Sequence, residues 1–375
     1  SSAVSKLPQP IPHMLCDEWG EKNMKRIGIL LKTSLLRRIV RKKKVNEKAR
    51  LYVKYGKKNG LRPVLFDIHG VDLKKKRVRG YKWSASKKRY VSVTSPLPRV
   101  VHNRVYTRSP KIKALSRHLG RRLFNPPEIN RSKLWMDHLL RKNAKLRPHL
   151  PVSRRLRRRN FKLVKRYPHV FIKPVVGSLG RKIIRVQSVG KKRFIFQPAR
   201  GKKQVISRAR LKKKFKKRHL FNGDFFVQQG ITLARYHRRP YDLRVSVQKG
   251  GKGRWRISGI TAKVAGKGKN LTNLSQNGKA VPVSVVLSHS FPRQNKKGIL
   301  RSVRGLALEV CRTLEKTYPA FADAGLDIGI DKKGHPWLIE VNFRDLRYSF
   351  HSAGEYKMFH NTYHRPIKYA KYLLS

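Results

Sequence analysis

The stretch GLDIGIDKKGHPWLIEVN, residues 325–342, decides the fold that this sequence predicts. It contains two strand-like runs, LDIGID and PWLIEVN. The segment KKGH joins them, and Gly334 gives it the backbone freedom of a turn. Pairing Asp331 with Pro336 across this turn predicts an antiparallel hairpin with a defined register. The register determines which polar side chains share a face of the hairpin.

In that register Asp327 lies directly opposite Glu340, and Asn342 projects from the same face. Two facing carboxylates repel each other unless a cation lies between them. Hard oxygen ligands of this kind suit Mg²⁺ or Mn²⁺. The alternative is an ordinary hairpin with polar residues on its hydrated face, and the spacing alone does not decide between the two.

The composition makes these carboxylates conspicuous. The 375 residues include 93 Lys and Arg but only 18 Asp and Glu, which gives a formal net charge of +75. Self-repulsion of this size opposes a compact state unless counter-ions or a polyanion screen it. We therefore expect an anionic partner, such as nucleic acid, an acidic polymer or an anionic surface. The alternative is a solvated basic face in an ion-rich compartment.

The charge is unevenly distributed along the chain. No Asp or Glu occurs between Asp137 and Asp224, a stretch that holds 30 Lys or Arg, whereas 8 of the 18 acids lie after residue 300. The middle of the chain is therefore predicted to form the most electropositive surface. The C-terminal part is predicted to keep carboxylates where they are needed.

Cysteine content and hydropathy bear on the compartment. Cys16 and Cys311 lie far apart in the sequence, which favours two reduced thiols in a cytosolic-type compartment. No apolar run approaches the roughly 18 residues that a membrane span needs, so no span is predicted. The N-terminus also lacks the charged-then-apolar arrangement of a secretory signal.

Alternating strand-like and helix-like segments predict a mixed α/β (α+β) protein with more than one domain. Residues 1–24 contain three prolines without periodicity and are predicted to form an arm. A small α/β domain is predicted over 25–125, before the breaker-rich segment FNPPEIN at 124–130. The remainder, 131–375, is predicted to form the larger domain.

Within the small domain, RIGILL (26–31) and RPVLFDI (62–68) are predicted strands. The segment 35–60 between them predicts a helix that ends at Gly60. A strand, helix and strand at this spacing predict a βαβ unit with parallel strands. The larger domain is predicted to contain an amphipathic helix, a β-meander, a very basic helix and one long helix, at 131–143, 180–206, 207–221 and 298–318.

A glycine-rich loop follows a strand-borne lysine in FIKPVVGSLGRK (171–182). Glycines let backbone N–H groups approach phosphate oxygens, and Lys173 can neutralise those oxygens. The loop does not match the Walker or Rossmann spacing, and most single glycine-rich loops are turns. By itself this segment is weak evidence for a phosphate site.

Taken in order, several segments resemble the ATP-grasp superfamily and, within it, the YheC/YheD-type spore-coat-associated proteins of endospore-forming bacteria. They are FNPP, KPVVGSLGRKIIRV, FVQQGITLARY, RPYDLRVSVQ, AGKGKNLTNLSQNG, the hairpin and FHSAGEYK. The resemblance covers nearly the whole chain from RIGILL onward. It implies an ATP-grasp fold with a first lobe at about 131–228 and a second at about 229–375, after a small N-terminal α/β domain. It also implies association with the spore or its coat.

The resemblance implies ATP as a ligand and assigns roles by position. Lys173 would contact the α- and β-phosphates, and Gln228 and Gln229 would lie at the adenine edge. The flap over the triphosphate would comprise Gly177, Ser178, Leu179 and Gly180, followed by Arg181.

Further roles fall in the second lobe. Arg244 would reach toward the γ-phosphate or an acyl-phosphate, and Lys263 would be another basic phosphate contact. Asn273 would support the nucleotide and metal region. Magnesium, or manganese, would be held by Asp327, Glu340 and Asn342.

Enzymes of this superfamily activate a carboxylate as an acyl-phosphate that an amine or thiol then attacks, mainly through positioning and charge neutralisation. One hypothesis is therefore a carboxylate–amine ligase for an acidic polymer or peptide, and the retained acids favour it. The other is a non-catalytic protein that coats DNA, RNA or an anionic spore layer without sequence specificity. The segment FRDLRYSF (343–350) replaces the small-residue, Pro-Gly segment that shapes the acceptor side in relatives, which leaves the substrate open.

Overall fold

The computed structural model describes residues 24–106, 109–177, 182–190, 192–199, 201–267 and 278–375. The helices in these residues are α1 (Thr33–Val40), α2 (Ala49–Lys58), α3 (Pro110–Leu119), α4 (Lys133–Arg141), α5 (Leu163–Arg166), α6 (Arg208–Lys217), α7 (Val283–Ser290), α8 (Lys296–Thr317), α9 (Tyr348–Ser352) and α10 (Tyr356–Leu374). The predicted mixed α/β class is confirmed, since the helices accompany three sheets. The predicted arm lies almost entirely outside the described residues. The domain boundaries stay a prediction.

The first sheet contains β1 (Lys25–Leu30), β2 (Leu61–Phe66), β3 (Val71–Asp72), β4 (Arg77–Ser84), β5 (Arg89–Pro96), β6 (Val100–Asn103) and β7 (Leu123–Phe124). Its order is β3-β4-β2-β1-β6-β7, and β5 pairs with β4. The strand β1 pairs in parallel with both β2 and β6, which confirms the predicted βαβ unit.

The single helix predicted over 35–60 is wrong, because α1 and α2 are separate helices. Lys42 adopts a left-handed conformation with φ 55°, and Lys43 N–H donates to the Arg38 carbonyl at 2.8 Å. This Schellman-type ending satisfies the last carbonyls of α1 without the glycine that usually marks it. The loop that follows brings Glu47 to the Tyr52 hydroxyl, 2.7 Å away.

The second sheet contains β8 (Ser153–Arg155), β9 (His169–Pro174), β10 (Ile184–Val189), β11 (Arg193–Pro198), β12 (Gln204–Ser207) and β13 (Phe225–Gln229). Its order is β12-β11-β10-β9-β13-β8, and the antiparallel strands β10 to β12 form the predicted meander. The basic helix α6 buries Leu211 and Phe215 against this sheet and leaves most of its cationic side chains exposed. Burial of these two apolar side chains lets so basic a segment fold as a helix.

The third sheet contains β14 (Arg235–Tyr236), β15 (Arg239–Lys249), β16 (Trp255–Val264), β17 (Lys279–Pro282), β18 (Asp323–Ile330) and β19 (Pro336–Asn342). Its order is β17-β16-β15-β18-β19, and β14 pairs with β15. The predicted long helix is α8, which buries Val303, Ala307 and Val310 in the core of this sheet.

The expectation of one long helix in this part of the chain is wrong, because α10 spans 19 residues. Pro366 lies inside α10, and an internal proline costs a helix about 3 kcal/mol. Burial of Phe359, Tyr363 and Ile367 in the same core as Ile27 of β1 offsets this cost. The last helix of the chain therefore packs on the first sheet.

The hairpin of β18 and β19 forms with a register different from the one predicted at its turn. Ile330, rather than Asp331, pairs with Pro336. A bulge between Asp327 and Ile328 then leaves Ile339 as an extra residue in β19, and beyond it Asp327 lies opposite Glu340 as predicted. The bulge thus compensates for the shifted turn.

Cys311 is buried as a free thiol, and burial raises its pKa well above the ordinary value. Cys16 lies outside the described residues. Within the described part of the chain, each helix is either too short or too polar to cross a membrane.

Candidate nucleotide and metal site

The phosphate side of the candidate site is built on two neighbouring strands. Lys173 of β9 donates from Nζ to Oε1 of Gln228 of β13 at 2.7 Å, and Gln228 Nε2 donates to Ser153 Oγ at 3.0 Å. Gln229 accepts from the backbone N–H of Val152 at 3.1 Å. The lysine and both glutamines predicted from the sequence therefore lie together. Within the described part of the chain, Lys173 is held by a hydrogen bond rather than by a direct ion pair.

The environment of Lys173 lowers the pKa of its ammonium group to about 8. Burial is the largest cause, and the charge of Lys133 acts in the same direction. The carboxylate of Glu340 opposes both. An ammonium ion that is buried without a direct counter-ion is prepared to accept an anionic ligand.

Lys133 is a site residue that the sequence analysis missed. It is the first residue of α4, which Ser132 caps by accepting from the Trp135 N–H at 3.2 Å. Its Nζ donates to the Gly177 carbonyl at 3.1 Å and lies 3.7 Å from Oε1 of Glu340. A lysine at the start of an ordinary amphipathic helix gives no signal in the sequence.

The start of the predicted flap is described, and the rest is not. Gly177 has φ 127°, a conformation that favours glycine. The remaining predicted flap residues and one predicted support of the nucleotide lie outside the described residues, namely Ser178, Leu179, Gly180, Arg181 and Asn273.

The opposite side of the site is a polar face that crosses four strands of the third sheet. Arg244 of β15 lies directly opposite Asp327 of β18, with Nε 2.8 Å from Oδ1. Lys263 of β16 lies opposite Asp242 of β15, and its Nζ is 3.1 Å from Asp242 and 2.9 Å from Asp327. Glu340 of β19 extends this row beyond Asp327. Cross-strand pairing alone places these charged side chains side by side.

A further carboxylate on this face comes from residues 343–350, the segment that departs from the expected sequence. Asp345 is fully buried, and its Oδ1 accepts from Nη1 of Arg244 at 3.1 Å. Gly325, which pairs with Asn342, makes room for it, because a Cβ at Gly325 would lie 2.6 Å from Asp345 Oδ1. The sequence analysis did not assign Asp345 to the site.

The charges of this face keep Asp327 ionised. Burial would raise its pKa, but the Arg244 guanidinium and the Lys263 ammonium outweigh burial and hold the pKa at about 2. Against the effect of burial, Asp327 and Asp345 raise the pKa of Arg244. Asp242 and Asp327 likewise raise the pKa of Lys263. The three groups are therefore all charged at neutral pH.

The oxygen donors fit a hard divalent cation that brings further ligands with it. Asp327 and Glu340 are direct cross-strand neighbours, and Asn342 lies two residues further along β19. No cluster of three or more His, Cys, Asp or Glu side chains in the described residues has a metal-binding arrangement. Mg²⁺ typically uses one or two carboxylates and completes its shell with waters and substrate phosphates. Glu340, with 39% of its side chain exposed, is more accessible than Asp327, with 8% exposed.

A cavity of about 290 Å³ lies between the two sides of the site, with Lys173, Gln228, Gln229 and Asp242 in its wall. The sequence analysis did not identify several of its other lining residues, which include His169, Arg185, Gln187, Arg235 and Ile339. Ile339 is the extra residue of the β19 bulge, so the shifted hairpin turn helps to shape the cavity. Burial and the charge of Arg185 lower the pKa of His169 to about 4, so this imidazole is neutral at pH 7.

Comparison with curated proteins finds relatives of known name. The chain is 28% identical over 324 residues to the endospore coat-associated protein YheD of Bacillus subtilis (strain 168), covering 82% of this chain and 70% of YheD. It is 22% identical over 242 residues to YheC of the same organism, covering 64% of this chain and 66% of YheC.

Among solved structures, the ATP-grasp ligase PsnB, in complex with a phosphomimetic variant of its minimal precursor, Mg and ADP, matches with a TM-score of 0.50 at 12% identity. The match covers 88% of this chain and 94% of PsnB, and it shows a shared fold. The family model for YheC/D-like ATP-grasp proteins matches residues 120–373, which include every described residue of the candidate site. This chain therefore belongs to the YheC/D-like ATP-grasp family.

Proposed function

We propose that the protein is an ATP- and Mg²⁺-dependent ligase. It would activate a carboxylate as an acyl-phosphate and transfer it to an amine. The family and the shared fold support an ATP-grasp, ligase-like protein in general. We propose in addition that ATP and Mg²⁺ are the ligands and that the residues named below bind them.

The contact made by Lys133 carries the proposal. Its ammonium group links the carbonyl of Gly177, where the glycine-rich loop begins, to the carboxylate of Glu340. One side chain, Lys133, therefore contacts both the start of the glycine-rich loop and a strand that carries oxygen donors. A nucleotide whose phosphates lie between them would have cations on one side and a metal-binding face on the other.

Each residue has a defined task in this proposal. Lys173 would neutralise the α- and β-phosphates, and Gln228 and Gln229 would contact the adenine edge. Arg244 and Lys263 would use N–H donors not engaged by carboxylates to meet the γ-phosphate or the acyl-phosphate. A bound Mg²⁺ would supply charge neutralisation for the phosphates, held by Asp327, Glu340 and Asn342. Gly177 to Gly180 would form the flap over the triphosphate, and Asn273 would support the nucleotide and metal region.

An acidic polymer or peptide is the proposed substrate. Such a substrate would be held by many weak, salt-sensitive contacts with a chain of net charge +75. YheD and YheC carry the name endospore coat-associated, and we propose a spore or spore-coat association for this protein too.

Titration calorimetry with Mg²⁺-ATP, on protein purified in high salt, tests the site. We expect micromolar binding that Glu340→Ala abolishes. Glu128→Ala is the matched control, since Glu128 also has one lysine partner among the described residues, Lys113 at 2.9 Å. Binding that survives in Glu340→Ala, or that is absent from all three proteins, would contradict the proposal.

One observation favours a second candidate, a protein that coats a polyanion without catalysis. The segment from β12 through α6 contains no carboxylate and exposes several cations. These cations include Arg208, Arg210, Lys212, Lys213, Lys216 and Lys217. Binding of this kind would weaken steeply as salt rises. Affinity for DNA or an acidic polymer that is unchanged between 50 and 200 mM salt would exclude it.

A further inference from the structure

The first sheet carries a second cavity, of about 810 Å³, away from the candidate nucleotide site. Its wall comprises the turn between β3 and β4, the outer face of β4 and the first part of α3. The proposed function assigns no task to this cavity. We call it the cationic groove because of the charges that line it.

Five cations line the groove: Lys74, Lys75, Arg77, Arg79 and Lys111. All five are exposed, and none forms an ion pair with a carboxylate in the described part of the chain. The only carboxylate in the wall is that of Asp72, which accepts from the backbone N–H of Lys75 at 3.0 Å. Like charges around a concave surface add their fields and concentrate anions there.

The groove is a built feature of the fold. Arg77 and Arg79 alternate along β4 with buried Val78 and Gly80, so both guanidinium groups project from one face. Thr94 of β5 lies directly opposite Arg79 and also lines the groove. The two strands therefore present two forked donors and a hydroxyl side by side.

The rim of the groove is fixed by contacts with neighbouring elements. A Cβ at Gly70 would lie 2.1 Å from the carbonyl oxygen of Arg79, so the backbone after β2 packs directly on β4. Lys111 Nζ donates to the carbonyl of His69 at 3.3 Å, which joins α3 to the same rim. The cations are thus carried by elements that hold one another in place.

We propose that the cationic groove is a second anion-binding site, which takes a linear chain of phosphates. Five cations around a cavity of this size match a ligand with several charges in a short length, and oligophosphate carries charge more densely than a polymer of single carboxylates. Guanidinium groups bind phosphate oxygens through paired N–H donors. The chain could be free oligophosphate or the backbone of a nucleic acid. The site is independent of the nucleotide site and of the ligase proposal.

Calorimetry with inorganic tripolyphosphate, without Mg²⁺ and at 50 mM salt, tests this site. The triple variant Arg77→Gln, Arg79→Gln, Lys111→Gln is expected to bind at least tenfold more weakly than the unchanged protein. The matched control removes the same residue types from the exposed face of α8: Lys297→Gln, Arg301→Gln, Arg304→Gln. It is expected to retain the affinity, and equal losses in both variants would overturn the proposal. Circular dichroism confirms that each variant is folded.

Three further measurements locate the ligand, define its chemistry and identify its source. Lys173→Met is expected to retain tripolyphosphate binding, and its loss there would place the ligand in the nucleotide site and overturn the proposal. Polyglutamate should displace tripolyphosphate poorly, and equal displacement at equal charge would overturn the assignment to phosphate. Single-stranded DNA that binds with the same dependence on Arg77 and Arg79 would identify the source as a nucleic acid backbone. Without such dependence, the source is free oligophosphate.

Discussion

Two carboxylates that lie four residues apart on β18, Asp323 and Asp327, belong to two different groups of buried charges. We call the group around Asp327 the site cluster; it comprises Asp242, Arg244, Lys263, Asp327 and Asp345. We call the group around Asp323 the sealed cluster; it comprises Glu47, His102, Arg104, Asp323 and Arg347. Both groups bury ions, but they differ in charge balance and in the origin of their members.

The sealed cluster is balanced. The guanidinium of Arg347 lies 2.9 Å from Asp323 and 3.6 Å from Glu47, and Arg104 lies 3.5 Å and 3.1 Å from the same two carboxylates. Burial lowers the pKa of His102 to about 4 and leaves it neutral. Two cations therefore face two anions.

Among the residues that the structure describes, the site cluster has an excess of acid. The cations of Arg244 and Lys263 face three carboxylates, although acids are scarce in the chain as a whole. Asp242 also lines the 290 Å³ cavity, and Glu340 at its edge is partly exposed. A balanced cluster needs nothing further, whereas an acid-rich face beside a cavity leaves room for a cation. The comparison supports a structural role for the sealed cluster and the ligand binding that we propose for the site cluster.

The largest expected effect comes from Arg347→Met in the sealed cluster. The change leaves Asp323 and Glu47 buried with one guanidinium between them. Breaking a buried pair in this way costs about 3–5 kcal/mol of unfolding free energy, which urea titration measures. The control is Arg312→Met, whose partner Glu309 lies 3.6 Å away at the surface and where a loss under about 1 kcal/mol is expected. Equal losses would remove the distinction between sealed and exposed pairs.

A smaller loss of stability is expected from Asp327→Asn in the site cluster. Arg244 keeps Asp345 and Lys263 keeps Asp242, so each cation retains a carboxylate. We expect a loss of about 1.5–3 kcal/mol, the range for hydrogen bonds to charged groups, together with loss of Mg²⁺-ATP binding in calorimetry. A loss of stability as large as that of Arg347→Met, with nucleotide binding unchanged, would make both clusters structural.

The two clusters also differ in how far the sequence predicts them. Four members of the site cluster lie on the adjacent strands β15, β16 and β18, and only Asp345 lies outside a strand. Strand register alone brought Asp327 opposite Glu340 of β19 in the prediction. Even there the turn was displaced by one residue. The predicted pairing of Asp327 with Glu340 is correct only because the bulge at Ile339 compensates for that displacement. No local residue preference predicts the bulge. The glycine-rich loop after Lys173 indicated this residue only weakly, and family resemblance supplied its proposed role and that of Arg244.

The sealed cluster could not be predicted from the sequence. Its members come from the loop before α2, the end of β6, the start of β18 and the segment after β19, which only the tertiary fold brings together. Arg347 also adopts a left-handed conformation, φ 46°, which is uncommon for arginine. Residues 343–350 were noted only as a departure that left the substrate open. In the structure, Asp345 of this segment belongs to the site cluster and Arg347 belongs to the sealed cluster.

The smallest expected effect concerns pH and Lys173, beside the site cluster. Because burial lowers the pKa of Lys173 to about 8, most molecules carry the charge at pH 7 and few carry it at pH 9. If the ammonium binds phosphate, affinity for Mg²⁺-ATP should fall about tenfold between these values, since each pH unit above the pKa reduces the charged fraction about tenfold. Lys173→Arg, which stays charged throughout, should flatten the profile. A profile that is equally steep in both proteins would show that another group titrates and that Lys173 does not meet the phosphates.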